Sequence, residues 1–563
     1  MNTLKVLVFF ALLSCAFSST AQNYAAQKYY EMNQYKKAKA TYITGLKTNN
    51  SAIDWLHLGK IYSIEGNKDS AKTCYSNVAA ALPDSPLAIV AGASVQIISG
   101  NKAQAKIDLG KAIKIATARK DVQAFIEIAQ VLFEAGDSTG WIDCLNQASQ
   151  LDSKNPLPFI VAGNIYAAMN NNASGISALG NASGRYEQAL YFDPQNVNAM
   201  NALASIYMRI QSFDDAEKYL NSLMALDSNY IPALRNFGEL SYSIGNYSKA
   251  SYYYGRYFSL AEYSDADQLR YIIILYFNNE FEKSNNLIQP LLKHDPFNPV
   301  LNRLNGYTLY ELGKYNEGLE AMNAFFNIRK SASDTSKIIA TDYAYLGKLQ
   351  AKTGNDSLCI TNLLKAISMD PATTAKLYED MAKCYEHQKK YLSAIDSYNN
   401  LIKASNGDVT SATYFSIGKN YLILINDSTL DSLKKNEYIN NADSAFTKVI
   451  SISPSSHLGF LWHARAMAAK DPETTLGLAK YDYENTLTIL EAKSNNDKYK
   501  NELIECYRYL GYFYFIKYES AKKEINQESA DSFKGLSVTY WNKLLSVDPS
   551  NEVASQALKA LNM

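Results

Sequence analysis

The sequence predicts an all-α chain: a right-handed solenoid (superhelix) of about fourteen antiparallel helix pairs. Three observations carry that prediction. First, 563 residues exceed what one hydrophobic core organises, roughly 250–300, so the chain is several domains or a repeat array. Second, glycine (26) and proline (13) are sparse, which disfavours long disordered linkers and a turn-rich all-β chain. Third, one pattern keeps returning. "WLHLGKIYSIEGNKDSAKTCYSNVAAALPDS" from Trp55, "LRNFGELSYSIGNYSKASYYYGRYFSL" from Leu234 and "YEDMAKCYEHQKKYLSAIDSYNNLIKA" from Tyr378 all carry it. Each opens on a bulky residue, with Leu58, Phe237 or Met381 three places on and Gly59, Gly238 or Ala382 directly after. Sixteen positions from the start stands Ala71, Ala250 or Ala394, and twenty from it Tyr75, Tyr254 or Tyr398. Two apolar stripes at helical spacing, parted by a short polar break, describe two helices packed against each other. The small residues let the helices approach, and the large ones fill the space around the contact.

The elements follow in chain order. Residues 1–21 read as a signal peptide: Lys5, then the apolar run "VLVFFALL" from Val6, then small residues Ser19 and Ala21 before a cleavage site at Gln22. A second reading makes "LLSC" a lipoprotein signal, with Cys15 as a lipid anchor. The solenoid occupies 22–548. A partial unit holds Tyr29, Ala38 and Tyr42, and clean units begin near Ala52, Pro86, Val197, Ile231, Asp265, Pro299, Ala340 and Ala375. Another, from Val122, places Trp141 where alanine recurs. The breaks "EGNKD", "IGNYS" and "TGNDS" put glycine where a helix ends and Asn, Asp or Ser where the next is capped. Units often close on Asp-Pro, at Asp193, Asp295, Asp370 and Asp548, where proline stops or restarts a helix. Insertions lie near 169–184, 329–337, 426–440 and 519–533, and are read as surface loops or extended helix ends. Residues 549–563 read as a C-terminal helix capping the last unit.

These motifs resemble the tetratricopeptide repeat (TPR), whose period is about 34 residues. The resemblance runs through nearly the whole chain after the signal. It implies a concave face lined by the first helix of each unit. Phased onto that face, the middle units contribute Asn164, Asn198, Asn201, Arg235, Glu239, Tyr242, Tyr276, Arg303, Tyr307 and Tyr310 as the expected partner-binding residues. Asparagine bonds backbone amides, and tyrosine and arginine are favoured interface anchors. The chaperone-binding clamp of the family wants a lysine where this chain has Ile160, so that activity is not carried over. The run Tyr252-Tyr253-Tyr254 falls on a second helix. Tyr254 and Tyr257 are therefore expected in the core against their own first helix, Tyr253 beside the next unit, and Tyr252 outside.

Composition and motifs narrow the chemistry. Basic and acidic residues balance at 55 each, so no general attraction to nucleic acid is expected. No segment after the signal is apolar enough to cross a membrane. The histidines His57, His294, His387, His457 and His463 fall in no metal-binding spacing, and no nucleophile elbow or phosphate-binding loop is present. Repeats and insertions leave no room for a separate catalytic fold. Cys74, Cys144, Cys359, Cys384 and Cys506 are scattered, form no disulfide framework or zinc site and read as core filler, although Cys359 and Cys384 could meet across adjacent helices. Asp-Ser steps at Asp69, Asp137, Asp356, Asp427, Asp431 and Asp443 fit either helix capping or an O-glycosylation signal of exported bacterial proteins. The expectation is a non-catalytic scaffold, without cofactor or metal, that binds protein segments in the bacterial cell envelope, in the periplasm or at the outer-membrane periphery. The alternatives are a membrane-anchored accessory of surface assembly or secretion, and a carbohydrate-binding protein using the aromatic groove.

Overall fold

A computed structural model describes residues 24–169, 175–331, 337–493 and 496–561. The expected signal peptide and Cys15 lie outside the described residues, as do 170–174 and 332–336 of two expected insertions. The described chain is helical, with no strand among the described residues. It divides into two compact units, with the boundary between Leu287 and Ile288.

The first unit holds α1 (24–31), α2 (Tyr35–Leu46), α3 (Ala52–Ile64), α4 (Lys68–Ala81), α5 (Pro86–Ile98), α6 (Lys102–Arg119), α7 (Val122–Glu134), α8 (Gly140–Leu151), α9 (Leu157–Met169), α10 (Gly175–Phe192), α11 (Val197–Arg209), α12 (Phe213–Leu226), α13 (Ile231–Ser243), α14 (Tyr247–Leu260) and α15 (Asp265–Phe277). The boundary falls inside α16 (Phe281–His294). The second unit continues with α17 (Pro299–Glu311), α18 (Tyr315–Ser331), α19 (Ala340–Lys352), α20 (Asp356–Met369), α21 (Leu377–His387), α22 (Tyr391–Ala404), α23 (Ser411–Leu424), α24 (Ser432–Ile452), α25 (His457–Lys470), α26 (Lys480–Glu491), α27 (Lys500–Lys523), α28 (Gln527–Val547) and α29 (Glu552–Leu561). Taken two at a time, α1 to α28 are fourteen consecutive pairs, and α29 packs against α28 with Ala554 and Leu561 buried.

Local chemistry sets the helix ends. Gly245 ends α13 in the left-handed region at φ +76°, a conformation glycine adopts without steric cost. Asn246 then caps α14, its side chain accepting from the backbone N–H of Lys249 at 3.0 Å. The residues Asp193, Asp295, Asp370 and Asp548 each directly follow the last residue of a helix. The proline after each disfavours the helical region for the residue before it, so the helix stops there.

One contact recurs in several of the pairs. A small residue on the first helix receives a large one from the second: Gly59 receives Tyr75, Gly163 receives Tyr186, Gly238 receives Tyr254, Gly418 receives Phe446 and Gly511 receives Trp541. A Cβ at Gly238 would stand 2.3 Å from the Tyr254 ring. Trp141 is buried between Phe133 and Tyr166, so the unit from Val122 carries bulk at the second-helix position where other units have alanine.

The tyrosine run divides by helical phase. Tyr254 and Tyr257 are buried and Tyr252 is exposed, as the period requires. Tyr253 differs from expectation: it stacks on Phe237 of its own unit at 4.5 Å, while Tyr254 stacks on Tyr271 of the next at 5.9 Å. The fully buried phase points into the joint between three helices, so the deepest ring touches both units. Where they are described, the insertions are partly taken up as helix. α10 begins at Gly175 and buries Leu179 and Ala182, α18 runs on to Ser331, α24 starts at Ser432, and α27 and α28 meet across a short turn at Glu524–Asn526.

Candidate functional site

Within each compact unit, the first helices of successive repeats carry polar and aromatic side chains that are bonded from repeat to repeat. In the first unit Asn198 accepts from the Tyr230 hydroxyl at 2.6 Å, and Asn201 accepts from Asn236 at 2.9 Å. Arg235 donates to Asp267 at 2.7 Å, and Arg270 donates to Glu239 at 3.2 Å. The hydroxyl of Tyr254 donates to Glu239 and that of Tyr257 to Asp267, so buried second-helix tyrosines end on first-helix carboxylates. Burial works against the Asp267 charge, yet the bonds from Arg235 and Ser264 hold its carboxyl below the usual range. The Arg270 guanidinium lies 4.8 Å over the ring of Tyr242, and the edge of Tyr276 meets Phe281. Asn164 is exposed and accepts from the Tyr186 hydroxyl at 2.7 Å.

In the second unit Arg303 forks onto Asp342, with Nε at 2.7 Å and Nη2 at 2.8 Å, and also reaches the Lys337 carbonyl. Tyr307 donates to the same carboxylate at 2.6 Å and stacks on Tyr345 at 4.1 Å. Phasing puts Tyr307 on the groove wall; the structure leaves it only 6% exposed, in the joint between α17 and α19. Tyr310 is half-buried, with its ring against the edge of Tyr345. Further along, Arg465 forks onto Glu505, and His463 lies between Asp482 and Asp443 at 2.7 and 2.8 Å. Burial opposes the His463 charge, but the two carboxylates raise its pKa above the ordinary histidine value.

The face of the first unit already holds polypeptide. Glu31 accepts from Asn198 at 3.0 Å, Lys28 pairs with Asp227, and Met32 joins the core cluster of Met200, Leu234 and Phe237. The Glu262 carboxylate accepts the backbone N–H groups of Lys36 and Lys37, each at 2.8 Å, and Gln34 accepts from the Glu262 N–H. A helix start leaves its first N–H groups without internal partners, and negative charge is favoured there. Glu262 thus caps α2 from more than two hundred residues away.

Two cavities remain beneath this docked segment. One, of about 540 Å³, lies between Tyr30, Glu31 and Asn33 on one side and Asn164, Asn198 and Asn201 on the other. Arg235, Glu239, Tyr242 and Tyr276 do not line it. The second, of about 450 Å³, is bounded by Tyr30, Tyr42, Asp54, His57, Lys60 and Glu127. Lys60 donates to Glu127 at 2.5 Å and to Gln130 at 2.8 Å. Burial penalises both charges, but the Lys60 charge and bonds from His57 and Lys60 hold the Glu127 carboxyl well below its usual range, and Glu127 raises Lys60. These residues were missed by groove phasing, since Lys60 and Glu127 lie on different units and each alone reads as an ordinary solvated charge. Burial raises the pKa of Asp54, whose Oδ2 has no partner.

Among the described residues no group of His, Cys, Asp and Glu is placed to hold a metal ion. No described helix is long and apolar enough to cross a membrane.

Comparison with known proteins agrees with the repeat. Residues 160–231 and residues 55–80 each match a family model described as Tetratricopeptide repeat. Solved structures that resemble the chain include the C-terminal part of a TPR repeat-containing protein from Cytophaga hutchinsonii, at 26% identity over 52% of this chain and 99% of that one, TM-score 0.41. A tetratricopeptide repeat protein from Parabacteroides merdae matches at 19% identity over 46% of this chain and 97% of its own, TM-score 0.30. A thermophilic TPR protein from Thermus thermophilus matches at 16% identity, covering 40% and 100%, TM-score 0.29.

Proposed function

Because the chain is a tetratricopeptide repeat protein, we propose that it is a non-catalytic scaffold whose first-helix face binds extended or helical segments of partner proteins. The observation that carries this is the docked N-terminal segment. Asn198 and its neighbours already hold a stretch of this chain by side-chain bonds, an apolar anchor at Met32 and a helix cap from Glu262. A partner using the same residues of the first unit competes with α1 and α2. Arg235, Tyr242 and Tyr276, outside the cavity, are the remaining anchors of the first unit, and Tyr310 is that of the second, where Arg303 is committed to Asp342.

The location reading rests on residues 1–21, which have the charge, apolar run and small-residue site of an export signal. It places the scaffold in the periplasm or at the outer-membrane periphery, with Cys15 as the lipid anchor in the alternative reading. Replacing Cys15→Ser and comparing membrane and soluble fractions separates the two: release into the soluble fraction supports the anchor, and unchanged fractionation removes it. The serines Ser138, Ser357, Ser428, Ser432 and Ser444 of the Asp-Ser steps are exposed, which leaves them accessible to O-glycosylation. Asp137 and Asp431 also cap the helices that follow, which is the reading without a glycan. Intact-peptide masses of the exported protein decide between them.

The binding reading is tested by a photo-reactive residue placed at Tyr276 or Tyr310, with Tyr252 and Tyr481 as exposed second-helix controls. Protein adducts at the first two sites and not at the controls support the proposal. Equal labelling at all four sites, or none, defeats it.

A further inference from the structure

We propose that Cys359 and Cys384 are joined by a disulfide that staples two consecutive repeats. Cys359 lies on α20 and Cys384 on α21, the second helix of one pair and the first helix of the next. Their sulfurs stand 2.8 Å apart, well inside the contact distance of two unbonded sulfur atoms. Both residues are essentially buried, in a cluster with Leu363, Ala366, Leu377 and Met381. The cluster is built from apolar side chains, with the rings of Tyr343, Tyr378 and Tyr385 packed against it. Cys74, Cys144 and Cys506 are also buried, but each sits in a different cluster with no cysteine beside it.

The chemistry also says when the bridge forms. A thiolate is the attacking species. The Cys384 sulfur and burial both push the Cys359 thiol up, so the packed pair reacts slowly. The bond therefore closes while α20 and α21 are still open, before the cluster is sealed. A disulfide donor such as oxidised glutathione suffices. One protein thiolate attacks it and releases one glutathione thiolate, and the second protein thiolate then displaces the other. Two cysteine thiols lose two electrons and two protons, and one glutathione disulfide becomes two glutathione thiols. The product fixes α21 against α20 at the joint between two units, independently of whether the exported-scaffold reading holds.

The test refolds the full chain from urea in a buffer of oxidised and reduced glutathione, at about pH 8 where an ordinary thiol of pKa ~8.5 is partly ionised. Remaining thiols are alkylated in denaturant, and the chain is digested without reductant. The expected result is one dominant linked product, joining the Cys359 and Cys384 peptides at two hydrogens less than their sum. Cys74, Cys144 and Cys506 should be alkylated. In Cys359→Ser the link should vanish and Cys384 should be alkylated or carry glutathione, with helicity retained. In the unmodified sequence, equal alkylation of all these cysteines, glutathione on Cys384 without the internal link, or links scattered evenly among other cysteines would each overturn the proposal.

Discussion

Replacing Gly238→Ala tests the small–large contact between α13 and α14. The new Cβ would stand 2.3 Å from Cδ2 and 2.7 Å from Cε2 of Tyr254, about 1 Å inside ordinary contact. The ring has nowhere to go. It is fully buried, its hydroxyl is bonded to Glu239, and its far side stacks on Tyr271. Overpacking of a tight core costs ~1–3 kcal/mol, and a pinned ring belongs in the upper half of that range. Alanine returns about 1 kcal/mol through its better helix propensity. The net is a loss of about 1–2 kcal/mol, a factor of roughly 5–30 in the local opening equilibrium. Gly92→Ala is the matched control: Gly92 lies inside α5, is exposed, and a Cβ there meets nothing within 4 Å. It should gain up to ~1 kcal/mol. Solenoids open unit by unit, so hydrogen exchange resolved to α13 and α14 is a better assay than a single melting temperature. Faster exchange in Gly238→Ala and slower exchange around Gly92→Ala are expected. If Gly238→Ala protects α13 and α14 as well as glycine does, the packing argument is wrong.

Three further outcomes follow from other contacts. Tyr254→Ala should cost ~3–5 kcal/mol and Tyr252→Ala should stay within about 0.5, so equal urea midpoints for the two would contradict the helical phasing. Glu127→Gln leaves Lys60 charged and buried without its partner and should destabilise the first unit by ~3–5 kcal/mol. Since the folded pKa of Glu127 is depressed, its contribution is present above the unfolded value of ~4.3 and is lost as pH falls through the folded one; a pH series of urea unfolding on the parent and the variant should converge in acid. His463 has the opposite sign. Its raised pKa makes its contribution complete below ~6.5 and lost as pH rises through the folded value, so the parent should weaken with rising pH relative to His463→Gln, and parallel pH curves would refute the carboxylate cradle.

The helix pairs were legible because the repeat writes each constraint where it acts. Gly59, Gly238 and the alanines of the second helices return at a fixed phase, since close approach of two helices tolerates no bulk there. The breaks and the Asp-Pro steps act within a few residues of themselves, so the first helices begin at Ala52, Pro86, Val197, Ile231, Asp265, Pro299 and Ala340, at the starts of the phased units. The same locality placed Tyr252 outside and Tyr254 inside. It misplaced Tyr253, because which neighbour a half-buried ring meets depends on how two units are turned against each other.

The sequence by itself determined the all-helical repeat, its phase and the direction in which each helix presents its side chains. The tertiary structure decided what those side chains do. Periodicity cannot tell that Tyr307 is sealed under Tyr345, or that Arg303 is committed to Asp342. Nor can it pair Lys60 with Glu127 or bring Glu262 to the start of α2. Those meetings depend on the rotation between successive pairs, a small angle set by every contact at the joint. Summed over several repeats, that angle returns Glu31 and Lys36 to a face built 167 to 226 residues later.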